Sequence, residues 1–150
     1  MDDLPTEPPD RYVTPEARRR FDAEFGFSPD LSLYDWEIEL ADGSRVREFL
    51  DAYLTSDLDD DERFALMSLI VASADHAFED RQLNDEEWQA IFNELVADAP
   101  IHASMIYYWC CADAEFEGEC FTLTSRMRAV WNLAFGDHNT MPAMPEEGEP

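Results

Sequence analysis

The chain has 150 residues, 45% hydrophobic and 13% aromatic, with 35 acidic against 10 basic side chains and a formal net charge of -25. That apolar share fills a core, and the length fits one domain, so a globally disordered chain is excluded. A field of this sign excludes unaided nucleic-acid binding, which needs a basic footprint, and disfavours anionic membrane surfaces.

Residues 1–13 carry four acids and three prolines and read as a mobile tail without the basic and apolar regions of a signal peptide. A cytoplasmic setting is the expectation. Thr14-Pro15-Glu16 reads as a helix start, with Thr as N-cap, Pro at the first helical position and Glu in the first turn. Ala17, Phe21 and Phe25 recur at helical spacing, and Gly26 ends the helix. Arg18, Arg19 and Arg20 form the basic cluster of this stretch, expected to pair with the acidic body.

Residues 34–40 alternate, with Tyr34, Trp36, Ile38 and Leu40 on one side and Asp35, Glu37 and Glu39 on the other. This is the period of a half-buried strand, with residues 120–123 as its candidate partner. Ala41-Asp42-Gly43 is turn chemistry, and Ser44 is expected to cap a helix with the stripe Val46, Phe49, Leu50, Tyr53 and Leu54.

Residues 64–74 form the longest apolar run, hydrophobic on almost every side. Such a helix has to be covered all round, and the run is too short to span a bilayer, which takes about 20 apolar residues. The acids of residues 57–62 precede it. As an EF-hand loop they fail, because the sixth position from Asp57 is Glu62 and the twelfth is Ser68.

Asn84 and Glu87 have capping-box spacing ahead of the stripe Trp88, Ile91, Phe92, Leu95 and Val96. Pro100 opens a helix expected to share Ile101, Met105, Tyr108, Trp109 and Ala112 on one face. After an acidic segment over residues 113–119, Thr124 is expected to cap a last helix carrying Met127, Val130, Trp131 and Ala134, ended by Gly136. Residues 137–150 read as a second acidic, proline-rich tail. The fold expected is all-α, or mainly α: a compact bundle or array of five to six helices around the central one, with at most a short two-stranded β element. The folded domain is read as residues 14–136. The helices over 44–54, 86–97, 101–112 and 125–135 are expected to cover the central run.

No hydrolase, zinc-protease, phosphate-loop or dinucleotide motif is present. Cys110, Cys111 and Cys120 lack Cys-x-x-Cys spacing, so His102 with these thiols makes a poor metal or thiol centre, and neither a catalytic residue nor a cofactor is assigned. The expected function is binding rather than catalysis: an acidic module that neutralises a basic protein, a toxin or a nuclease. In size and charge it is similar to small bacterial immunity proteins and antitoxins. The candidate contact residues are Asp57, Asp59, Asp60, Asp61 and Glu62 before the central helix, and Glu79, Asp80, Asp85, Glu86 and Glu87 beyond it. Two rival readings remain. One is a helical adaptor or subunit whose many acids and lack of Lys suit a salt-rich habitat. The other is a small metal- or thiol-dependent enzyme.

Overall fold

A computed structural model describes residues 7–27, 36–80, 83–111 and 122–140. Most of these residues are helical, and among them there is no strand. The elements are α1 (Pro15–Phe25), α2 (Trp36–Glu39), a 3-10 turn (Gly43–Arg45), α3 (Val46–Thr55), α4 (Asp60–Glu79), α5 (Asp85–Ala97), α6 (Ala99–Cys110) and α7 (Thr124–Asn139). The chain divides into two compact units, one of Tyr12–Ile91 and one of Phe92–Pro150 with Met1–Arg11. Residues 1–6 and 141–150 of the two tails, the acidic segment 113–119, and Tyr34, Asp35, Cys120 and Phe121 of the expected strand pair lie outside the described residues.

The first unit is built on α4. Every residue from 64 to 74 is buried, so the helix is enclosed as its all-round apolarity requires. Its only polar members in that run are Ser68 and Ser73. Ser68 donates back to the Phe64 carbonyl at 2.8 Å, and Ser73 accepts the Asp42 N–H at 2.9 Å. Both hydroxyls are thereby satisfied inside the core. Within this unit α1, α2, the 3-10 turn and α3 all pack against α4. Two of these, α1 and α2, are not among the covering helices expected from the sequence.

The start of α1 is as read: Thr14 accepts the Ala17 N–H at 3.1 Å, and Gly26 closes the helix in the left-handed region at φ 78. Phe21, Phe25, Phe27, Trp36 and Phe49 then form a connected aromatic cluster with ring centroids 4.9–6.5 Å apart. The Arg45 guanidinium lies 5.1–5.8 Å from the Phe25, Phe27 and Phe49 ring centroids. It is held there by Glu48 and by the Phe25 carbonyl.

Residues 36–39 are a helical turn, which corrects the strand. Trp36 is buried and Ile38 is exposed, so the alternation does not sort inside from outside. A tertiary bond decides the segment: Trp36 Nε1 donates to the buried Asp22 carboxylate at 2.9 Å, and that carboxylate also meets Arg18 at 3.5 Å. Of its expected partner, the described residues 122–123 form a turn ahead of α7.

The cap before α3 also differs from expectation. Asp42, not Ser44, is the capping residue; it accepts the Ser44 N–H at 2.9 Å and the Ser44 hydroxyl at 2.6 Å. Gly43 follows because α4 passes against it. A Cβ there would sit 2.9 Å from the Ala77 backbone nitrogen and 3.0 Å from its Cα.

In the second unit α6 and α7 pack on each other. Buried Arg128 of α7 donates to the Cys110 and Cys111 carbonyls, each at 2.7 Å. It therefore caps the C-terminus of α6, where unsatisfied carbonyls and the helix dipole favour a cation. Tyr107 packs edge-on against Trp131 with centroids 5.5 Å apart. These contacts run in opposite order along the two helices, so α6 and α7 are antiparallel. The buried face of α6 is His102, Met105, Ile106, Trp109 and Cys110. It is rotated from the expected stripe and leaves Tyr108 exposed. α7 continues through Gly136 to Asn139, and Thr124 is its first residue rather than its cap.

Candidate functional site

The ten candidate acids sit at the two ends of α4. At 20 residues α4 is about 30 Å long, so Asp57, Asp59, Asp60, Asp61 and Glu62 form one group. Glu79, Asp80, Asp85, Glu86 and Glu87 form another around the α4–α5 connection.

Both groups are built on the same device. Asp59 accepts the Glu62 N–H at 2.8 Å, and Glu62 accepts the Asp59 N–H at 3.0 Å. Asn84 and Glu87 do the same at 2.8 and 3.1 Å. Each is a capping box that satisfies orphan donors of a helix N-terminus. Each box glutamate also takes an arginine from another helix: Arg20 of α1 reaches Glu62 at 2.9 Å, and Arg47 of α3 reaches Glu87 at 2.9 Å. Arg20 additionally donates to the Asp57 carbonyl at 3.3 Å. The accepted backbone N–H, and next the arginine, hold Glu62 and Glu87 below the usual carboxylate range.

Glu62 and Glu87 are thus occupied within the chain and only half exposed. Asp57, Asp59, Asp60, Asp61, Glu79, Asp80, Asp85 and Glu86 are exposed. The boxes hold their turns in place, so the first group presents four aspartates within five residues on a fixed helix start. The Asn84–Glu87 box is legible in its spacing; the Asp59–Glu62 box carries the equivalent D-x-x-E signal but is not among the sequence expectations. The two locking arginines were not legible, because each comes from a different helix; Arg47 is 40 residues from Glu87.

The arginine cluster is absorbed locally. Arg18 pairs with Asp22, Arg19 with Glu16 at 3.7 Å, and Arg20 with Glu24 at 3.8 Å besides Glu62. In the cysteine region, Cys110 is fully buried, and burial pushes its thiol up to about 12. A thiol in that state is a poor nucleophile and a poor ligand at neutral pH. Among the described residues no group of three or more His, Cys, Asp or Glu side chains is arranged to hold a metal ion; Cys120 lies outside them. Among the same residues no helix is long and apolar enough to cross a membrane.

Comparison with known proteins gives no match: no family model, curated protein or solved structure matches this chain.

Proposed function

We propose that the protein is an acidic binding module that neutralises a basic protein, in the manner of a bacterial immunity protein or antitoxin acting on a toxin or nuclease. The observation that carries this reading is the set of exposed carboxylates Asp57, Asp59, Asp60 and Asp61 on a helix start locked by a capping box and Arg20. A helix start fixed in place loses little backbone entropy when its carboxylates meet a guanidinium or ammonium surface, and a net charge of -25 accelerates encounter with a cationic partner. Glu79, Asp80, Asp85 and Glu86 supply a second contact region at the other end of α4.

The test is capture from the native host at low salt with the full chain as bait. A basic protein retained by the wild type, released by salt, and lost on Asp57→Asn/Asp60→Asn/Asp61→Asn supports the proposal. Retention by the triple variant sinks the assignment to this helix start. Absence of any basic partner sinks the function.

The salt-habitat reading is favoured by one observation, that all ten basic residues are Arg and none is Lys. It predicts a fold that loses cooperativity at low salt and binds no cationic protein there. The metal- or thiol-enzyme reading has the Cys110 burial against it; unchanged properties of Cys110→Ser and no bound metal in the purified protein would remove it.

A further inference from the structure

We draw no further inference here: the strongest candidate, the exposed apolar side chains Tyr108 of α6 and Leu133 of α7, carries nothing because nothing in the structure shows what covers them.

Discussion

Single residues hold this fold at points where the surroundings dictate what a substitution does. Gly43 is one, because any Cβ meets the Ala77 backbone rather than a flexible side chain. Gly43→Ala is expected to destabilise by about 1–3 kcal/mol, read as a lower midpoint in urea denaturation with the slope retained. Asp22 is another. Its buried carboxylate takes the Trp36 indole N–H and Arg18, so Trp36→Phe leaves an acceptor short of a donor and costs about 1–3 kcal/mol. If the bond is what matters, Asp22→Asn costs less in that background than alone; additive losses would deny the coupling. At the end of α6, Cys111 adopts φ 53 without being glycine. Cys111→Gly is expected to stabilise by up to about 1 kcal/mol, since glycine occupies this region freely. Arg128→Met removes both caps from the α6 carbonyls and should lower stability by about 2–3 kcal/mol. None of these four roles is written locally in the sequence: Arg128 sits 18 residues from the carbonyl of Cys110, and Asp22 reads as an ordinary polar position on α1.

Helices are where local chemistry and tertiary packing can be told apart. The start and stop of α1 and the capping box of α5 depend on residues within four positions of one another, so their patterns were legible; the box of α4 has the same reach but was overlooked. Residues 36–39 were not legible, because a short alternation costs little to override once Trp36 has an aromatic cluster and a carboxylate to join. The same holds for α6, where Ile101 and Tyr108 read as core but the packing of α7 selects His102, Ile106 and Cys110 instead. The boxes also set an acid response. Glu62 and Glu87 titrate below their ordinary value of 4.5 in the folded state. A depressed folded value means their contribution is complete above about 4.5 and is lost as pH falls through the folded value. Glu62→Gln keeps the box hydrogen bond but loses the charge opposite Arg20. It should therefore flatten the decline in stability on the acid side of 4.5 relative to the wild type. A pH profile of Glu62→Gln equal to that of the wild type would show that the Arg20 pair contributes nothing.

At the level of the whole molecule, charge is the dominant variable. With -25 to accommodate, thermal stability is expected to rise with added salt. If the acids serve a partner, the rise should level off once the Debye length nears 10 Å, at about 0.1 M; a rise continuing to molar salt would favour the habitat reading. The sequence by itself determined that the chain is helical, which stretch is enclosed, where most helices begin, and that acids lie at both ends of α4. These follow from periodicity, capping and composition, which act over a few residues. Only the tertiary structure decided that Glu62 and Glu87 are held by Arg20 and Arg47, that α1 and α2 help enclose α4, and that Arg128 of α7 caps the end of α6. Each of these joins side chains far apart in sequence, and such pairings are selected by packing volume and by the satisfaction of buried polar groups.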